Sequence, residues 1–242
     1  LDPQVASRRL VEECRLLLED ARKEGARVAA VGMGVAGKID GERGTVIFSP
    51  NLPTMRNYPL GTELQEALGI PVFMENDANV FGMGEAWVGA ARGISNWVGL
   101  TLGTGVGGCL FFDHRLWQGD RLGFSGEIGH LIVDPHGPPC ACGLQGCLEA
   151  HSSGSALVRG FETAMAEGGS VSQGARKDWE EGKLTPERIY WYARQGEPAA
   201  QSLFARMGWA LGLALAGLFT VLGIRHAVLG GGVSASWDQF HD

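Results

Sequence analysis

The sequence predicts an α/β fold, and three patterns among its 242 residues support this prediction. Short apolar runs alternate with helical segments over residues 1–93, an order that is typical of a sheet with parallel strands. Two further strands joined by a glycine-rich turn are predicted at "NWVGLTLGTGVGGCLFF", residues 96–112. Near the end of the chain, "RHAVLGGG" indicates another buried strand that runs into a glycine turn.

The first 93 residues supply the elements of the predicted parallel sheet. Apolar residues at helical spacing predict an amphipathic helix from Val5 to Lys23, which Gly25 terminates. The runs "RVAAVGMGV" and "IPVFMEND" predict strands, and the helix "GTELQEALG" lies between them. A further helix is predicted at "ANVFGMGEAWVGAARG". Because ligands gather at the carboxyl ends of parallel strands, the polar residues that end "IPVFMEND" become candidates for a site.

The remaining residues predict a second lobe. We place the boundary at Gly93, with a small α/β lobe over 1–93 and a large α/β lobe over 94–242, although no Pro/Ser-rich linker marks it. The charged segment Ser170–Arg188 is predicted to include an exposed loop before the next helix. The uncharged stretch Met207–Ile224 is about as long as a minimal membrane span. Its many small residues favour a core helix that packs closely against its neighbours.

Composition narrows the choice of partner. The formal net charge is -7, and no run of Lys or Arg stands out, so neither nucleic acid nor a membrane surface is expected as a partner. A small molecule is expected instead. No export signal opens the sequence, which predicts a cytoplasmic protein whose 5 cysteines are not paired in structural disulfides.

A cluster of cysteines predicts a metal site. Cys140, Cys142 and Cys147 together with His130 offer three thiolates and one imidazole, a complete tetrahedral set for a structural Zn²⁺. The C-x-C spacing lacks the C-x-x-C step of a redox pair, although a redox role or chance clustering remains an alternative. His136 lies nearer to the cysteines and is the competing nitrogen ligand, but it falls in a Pro/Gly loop and ranks below His130.

Three other short motifs have both a functional and a structural interpretation. Asn76 and Asp77 end a predicted strand, where a kinase would hold its general base and where a helix cap is also common. The turn "TLGTGVGG", residues 101–108, has the composition of a phosphate cradle, with Thr104 as a hydroxyl donor, but hairpin turns are often rich in glycine as well. A second glycine turn, "LGGGVS" at 229–234, offers bare backbone to a base or ribose.

Taken together, these motifs resemble the ROK family (repressor, open reading frame, kinase), a branch of the actin-like ATPase superfamily. The family's E-x-G-H motif matches Glu127–His130, and its C-x-C-G-x-x-G-C-x-E motif matches Cys140–Glu149. Its E-N-D motif matches Glu75–Asp77, and its second phosphate motif matches "LGTGVGGC". The resemblance implies an actin-like, ribonuclease H-like two-lobe fold with a structural zinc site.

The resemblance also implies roles for individual residues. Asp77 would take the proton from a sugar hydroxyl as that hydroxyl attacks the γ-phosphate of ATP, in the presence of Mg²⁺. His130 would bind zinc through one ring nitrogen and face the sugar with the other. The residues implied to bind substrate are Asn51, Asn76, Asp77, Glu127, His130 and Glu149. Those implied to bind the nucleotide are Thr104, Gly105, Gly107, Gly231 and Gly232, and those implied to bind zinc are His130, Cys140, Cys142 and Cys147.

The expected activity is phosphorylation of a hexose at its 6-hydroxyl, with glucose first and mannose or an N-acetylated amino sugar next. A homodimer is expected from the resemblance alone. The sequence departs from the family at Ala36, where Pro is usual, and it lacks the opening D-x-G-G-T motif and the last helices, so an incomplete ROK protein is expected. Two alternatives follow: a sugar-responsive repressor, or a sugar-binding module without catalysis. Loss of the metal is expected to weaken sugar binding without directly affecting the nucleotide.

Overall fold

The computed structural model describes residues 2–119, 125–169 and 171–241. The strands, numbered along the chain, are β1 Val31–Val35, β2 Lys38–Asp40, β3 Thr45–Phe48, β4 Val72–Asn76, β5 Trp97–Leu102, β6 Val106–Phe112, β7 Arg115–Leu116 and β8 Ala227–Gly230. The helices are α1 Pro3–Lys23, α2 Leu60–Leu68, α3 Asp77–Trp87, α4 Leu148–Ser152, α5 Gly154–Ala166, α6 Gln173–Glu180, α7 Pro186–Arg194 and α8 Pro198–Leu222. Short 3-10 helices span Ile128–His130 and Gly232–Gln239.

The strands form three sheets in the described part of the chain. β1 and β4 pair in parallel, with Val35 opposite Asn76, which confirms the predicted parallel arrangement. β2 and β3 form an antiparallel pair. The third sheet has the order β7-β6-β5-β8, in which β5 and β6 form the predicted glycine-turn hairpin and β8 pairs in parallel with β5. Parallel pairing brings the carboxyl ends of β5 and β8 to one edge.

Local signals set the helix boundaries. Asp2 caps α1 by accepting a hydrogen bond from the backbone N–H of Gln4 at 2.8 Å, and Pro3 occupies the first turn, where its missing N–H costs nothing. α2 and α8 end at Gly69 and Gly223, whose φ angles of 68° and 66° are left-handed conformations that glycine adopts readily.

Two large apolar cores hold most of these elements together. The first joins α1, α2, β1–β4 and the loops between them, with Val46 and Leu64 fully buried. The second joins β5, β6 and helices α4–α8, with Leu100 and Phe161 fully buried. The first core uses residues up to Met74 and the second begins at Val98. A smaller third cluster, with Ala91 and Trp97, lies on both sides of the lobe boundary predicted at Gly93, which stays a prediction.

The polar segment Ser170–Arg188 contains more structure than its composition predicted. Ser170 lies outside the described residues. The predicted exposed loop is present at the end of the segment, but α6 precedes it. This helix begins where the Ser172 hydroxyl accepts a hydrogen bond from the N–H of Ala175, which is fully buried. The burial of Ala175 and the cap from Ser172 therefore support a helix in this segment although its composition is polar.

Helix α8 is buried along one face only. Phe204, Met207 and Leu211 pack in the second core, whereas Trp209 and Val221 are 51% and 81% exposed. It is the one helix in the described residues that is long and apolar enough, by length and composition, to cross a membrane. The predicted core helix packs against its neighbours along this one face, and no described residue covers the outer face.

Candidate active site

The two predicted nucleotide turns lie side by side. Gly231, with a φ of 87°, follows β8 and packs directly on the end of β5, since a Cβ at this position would overlap the backbone of Leu102. The hairpin turn that leaves β5 closes on itself through a 3.0 Å hydrogen bond from the Gly103 N–H to the Gly105 carbonyl. The Gly103 carbonyl in turn accepts a 2.8 Å bond from the N–H of Gly154. Glycine backbone at the ends of β5 and β8 and at the start of α5 therefore lies together at one edge of the third sheet.

The remaining nucleotide candidates are part of the same surface. Thr104 is exposed at the tip of the hairpin turn, and a Cβ on Gly232 would meet open space. A Cβ on Gly107 would lie 2.8 Å from the Cβ of Ala78, so β6 approaches the first turn of α3 closely. The structure thus brings all five predicted residues to the β5–β6–β8 edge and connects that edge to Asp77.

Asp77 opens helix α3 at the carboxyl end of β4. Its side chain is exposed, and its Oδ1 accepts a 3.0 Å hydrogen bond from the Ala78 N–H. Asn76 is the helix cap: its Oδ1 accepts bonds from Ala78 and Asn79, and its Nδ2 donates to the Gly37 carbonyl at 3.0 Å. The capping interpretation of Asn76 is confirmed, and one Nδ2 hydrogen remains for another acceptor.

The Glu127–His130 segment lies across the start of β6. A Cβ on Gly129 would overlap the Val106 carbonyl, and a Cβ on Gly126 would lie 2.5 Å from the Gly108 carbonyl, so glycine permits this close approach. Glu127 Oε1 lies 3.9 Å from the Lys38 ammonium, which reaches over from β2. Both groups are partly exposed, so this pair orients Glu127 more than it stabilises the fold.

The four predicted metal ligands converge. One ligand atom from each of His130, Cys140, Cys142 and Cys147 lies within 4.8 Å of the others, and no other such group of three or more was found in the described residues. Cys142 Sγ is 3.7 Å from Cys147 Sγ, and Cys140 Sγ is 3.8 Å from His130 Nδ1. Sulfurs around a tetrahedral zinc with 2.3 Å bonds lie about 3.8 Å apart, so the cluster fits that ion.

The two nitrogens of His130 face different groups. Nδ1 points to the cysteines, whereas Nε2 lies 3.8 Å from Glu127 Oε2. The competing ligand His136 is exposed and outside the cluster, with its backbone N–H bound to Asp134 Oδ1 at 3.1 Å. The geometry therefore favours His130 over His136.

The thiols of the protein differ strongly in their environments. Burial raises the pKa of Cys147 to about 12 and also raises the pKa of Cys140, whereas the backbone N–H of Leu144 lowers the pKa of Cys142, which is exposed. Cys109 lies apart from the cluster beneath Trp97 and Phe111, and burial raises its pKa to about 12.

These environments predict an alkylation pattern. Iodoacetamide at pH 8 is expected to leave Cys109 unmodified with or without a chelator, because this thiol is 1% exposed and stays protonated. Cys142 is expected to react only after chelation, because a bound metal would occupy its sulfur. Peptide mass spectrometry measures the alkylation of Cys109 and of Cys142. Equal labelling of Cys142 before and after chelation would contradict its assignment as a ligand.

Glu149 connects the cysteine cluster with the hairpin turn. Its Oε2 accepts a 2.9 Å hydrogen bond from the Val106 N–H, and its Oε1 lies 3.9 Å from Cys140 Sγ. A Cβ on Gly105 would overlap Oε2, so the turn and the carboxylate are in direct contact. The resemblance implied only a sugar contact for Glu149, and the contact with Val106 was missed because the two residues are far apart in sequence.

Asn51 is exposed in the turn after β3, where the Leu52 N–H donates to the Ser49 carbonyl at 3.3 Å. A Cβ on Gly37 would lie 2.7 Å from the Ser49 Cα, so this turn packs against the loop that the Asn76 side chain holds. Asn51 therefore borders the Asp77 side of the site.

Two polar residues at the site, Lys38 and Glu75, received no role from the sequence. Lys38 reaches Glu127, as described above. Glu75 accepts bonds from the Asn79 side chain at 3.1 Å and from the Gln118 side chain, and so connects the end of β4 with the segment after β7. A charged residue next to Asn76 and Asp77 was visible in the sequence, but its partners were not.

The comparisons with known proteins agree with this geometry. The model of the ROK family matches residues 3–240. A glucokinase from Thermotoga maritima is 40% identical over 211 residues, which cover 87% of this chain and 66% of that enzyme. The chain thus spans just under two thirds of that relative's length.

Solved structures show the same fold. The structure of a ROK family glucokinase from Streptomyces griseus in complex with glucose and AMPPNP is 36% identical, with a TM-score of 0.77 over 93% of this chain and 72% of that one. The structure of a ROK family transcriptional regulator, a homologue of the E. coli MLC protein, is 29% identical, with a TM-score of 0.88 over 100% of this chain and 59% of that one. The fold is that of the actin-like ATPases. The family match over nearly all of its residues shows that this chain belongs to the ROK family.

Proposed function

We propose that the chain belongs to a glucokinase-type sugar kinase, which transfers the γ-phosphate of ATP to the 6-hydroxyl of a hexose. Glucose is the first candidate, followed by mannose and an N-acetylated amino sugar. The Thermotoga relative is a glucokinase, and the Streptomyces griseus glucokinase was solved with glucose and an ATP analogue. Both are more than a third identical to this chain.

One observation carries the proposal: residues from three other motifs contact the phosphate motif at the first residues of β6. Glu149 binds the Val106 N–H, and Gly129 packs on the Val106 carbonyl. Ala78, which follows Asp77, contacts Gly107. A general base, a phosphate turn and the sugar-binding carboxylates thus surround a single short stretch of backbone, as a direct phosphoryl transfer requires.

In the proposed mechanism, the oxygen of the sugar 6-hydroxyl attacks the γ-phosphorus of ATP while Asp77 accepts the hydroxyl proton. The bond between the γ-phosphorus and the bridging oxygen breaks, and ADP leaves. Asp77 suits this role because it is exposed at the start of α3, where the positive end of the helix favours a carboxylate. General-base catalysis of this kind contributes roughly 10² to 10⁴ in rate.

The other hydroxyls of the sugar would be held by directional partners. Glu127 and the Nε2 of His130 lie together and can accept and donate, respectively. Asn76 has one free Nδ2 hydrogen for the sugar, and Asn51 borders the same side. The carboxylate of Glu149 would serve through Oε1, since Oε2 is bound to Val106.

The nucleotide would lie on the β5–β8 edge. The backbone N–H groups of Thr104, Gly105 and Gly107 would face the phosphates, and Gly231 and Gly232 would lie against the base or ribose. When bound, Mg²⁺ would neutralise charge on the β- and γ-phosphates.

The proposed zinc is structural. His130, Cys140, Cys142 and Cys147 complete a tetrahedral set, which leaves no open position for substrate. Its role would be to fix the ring of His130 and the loop that carries Glu127.

The proposal also includes the small lobe 1–93, the large lobe 94–242, a homodimer and a cytoplasmic location.

A coupled ADP-release assay over a panel of hexoses tests the proposed function. We expect glucose-dependent ADP release that requires Mg²⁺, with weaker release for mannose and none for xylose. Because one hydroxyl or methylene changes binding by only about 1–3 kcal/mol, several hexoses are expected to react. Absence of ADP release with every sugar would contradict the kinase.

A sugar-responsive repressor is the second candidate, because the ROK transcriptional regulator shares the fold over the whole chain with a TM-score of 0.88. In that case the protein would bind a sugar in titration calorimetry and release no ADP. Asp77 favours the kinase, since a sensor needs the pocket but no general base.

A further inference from the structure

Glu149 lies between the proposed metal site and the proposed phosphate turn and contacts both. We infer that Glu149 is a positioning residue through which metal occupancy at the cysteine cluster orders the Gly103–Val106 turn. The inference rests on the proposed metal and nucleotide sites, but not on turnover. The sequence led us to expect that loss of the metal would not directly affect the nucleotide. Under this inference, loss of the metal would directly affect the turn that is proposed to bind the phosphates.

The turn depends on Glu149 for a hydrogen bond. Val106 is buried, with 7% of its surface exposed, and its N–H donates to Glu149 Oε2 at 2.9 Å. A buried N–H needs a partner, and a charged acceptor is among the strongest available. Gly105 touches the same oxygen, so the carboxylate fixes two successive residues of the turn.

Glu149 in turn depends on the cysteine cluster. It lies on α4, a helix of 5 residues that begins directly after the ligand Cys147. Cys147 occupies the N-cap position without a side-chain capping bond, and a helix this short is not stable alone. Cys140 Sγ lies 3.9 Å from Glu149 Oε1 on the other side. A metal bound to Cys147 would fix the start of α4 and thereby the backbone that carries Glu149. The contact from Cys140 is a thiol donation to Oε1, which a metal-bound thiolate no longer makes, so the coupling runs through Cys147.

On its other side, α4 is held in place by the apolar core, which does not depend on the metal. Leu148 is fully buried, and its N–H donates to the Leu131 carbonyl at 2.8 Å. We therefore expect metal removal to shift the start of the helix and the Glu149 side chain without unfolding the segment. The backbone amides of the turn should then exchange faster, while those of the core stay protected from exchange.

Hydrogen–deuterium exchange measures this coupling without sugar, nucleotide or activity. The Zn²⁺-loaded protein is compared with the chelated protein for wild type, Glu149→Ala, Glu149→Gln and the control Glu162→Ala, which removes an exposed carboxylate from α5. In wild type and the control, chelation is expected to speed exchange of the peptide over residues 103–108 at least about tenfold, the effect of losing one charge-assisted bond.

The variants separate coupling through Glu149 from general loosening. In Glu149→Ala the turn should exchange fast even with Zn²⁺ bound, and chelation should add little. Glu149→Gln keeps an acceptor for Val106 and should restore slow exchange in part. Unchanged exchange of the turn in chelated wild type would overturn the inference, and so would a chelation effect of equal size in Glu149→Ala. Failure of wild type to bind Zn²⁺ would overturn it as well.

Failure of the proposed kinase gives a different result. A protein that shows the metal-dependent exchange but releases no ADP with any hexose would keep this coupling and lose the kinase assignment. A protein that releases ADP at an equal rate before and after zinc removal, assayed in both cases with Mg²⁺ supplied, and that shows unchanged exchange would keep the kinase and lose the coupling.

Discussion

Replacing Asp77 with asparagine is expected to lower kcat for glucose phosphorylation at least about a hundredfold while sugar affinity stays near that of wild type. Asparagine keeps the shape of the side chain, and its Oδ1 can still accept the bond from the Ala78 N–H. It cannot accept the proton of the 6-hydroxyl. Steady-state kinetics by ADP release and sugar titration by calorimetry measure the two effects separately.

The matched control for Asp77→Asn is Asp20→Asn, which removes an exposed carboxylate from the last turns of α1. We expect this control to retain full turnover. If Asp77→Asn also turned over at a near-normal rate, Asp77 would not be the general base, and the repressor interpretation would gain support.

The second large effect is expected from Gly146→Ala, which should weaken metal binding. Gly146 has a φ of 70°, and a Cβ there would overlap the Asp134 carbonyl oxygen. Its own carbonyl accepts bonds from Val133 and Asp134, so the residue cannot move without opening the loop. Overpacking of this kind costs about 1–3 kcal/mol, which corresponds to roughly a 5- to 150-fold loss of zinc affinity.

Gly143→Ala is the matched control, because it separates the steric overlap from the backbone conformation. Gly143 lies in the same loop with a φ of 92°, but a Cβ there would meet nothing within 4 Å. Both variants force alanine into a conformation that costs roughly 1–2 kcal/mol. Zinc titration in competition with a chelator is expected to give a weaker zinc affinity for Gly146→Ala than for Gly143→Ala. Equal zinc affinity in the two variants would contradict the packing argument.

The sequence alone predicted the type of most elements and the identity of the motifs. The helix over α1, the parallel pair β1–β4 and the hairpin β5–β6 follow from apolar periodicity and glycine turns, which are local properties of the chain. The cysteine cluster was also predictable, because its ligands lie within 18 residues of one another and their chemistry is restrictive.

Several features were decided only by the tertiary structure. Asn76 caps α3 and holds Gly37 in addition to any contact with sugar. Lys38 reaches Glu127, and Glu149 binds the N–H of Val106. The outer face of α8 is exposed although its composition is that of a buried helix.

The physical reason is the range of the interactions involved. Periodicity, capping and turn conformation depend on neighbours a few residues away, so the sequence displays them directly. The partner of a carboxylate or the burial of a helix face depends on residues 40 or more positions apart, as for Glu149 and Val106, whose approach is set by how sheets and helices pack. The sequence therefore determined which chemical groups this protein possesses, and the packing decided which of them meet.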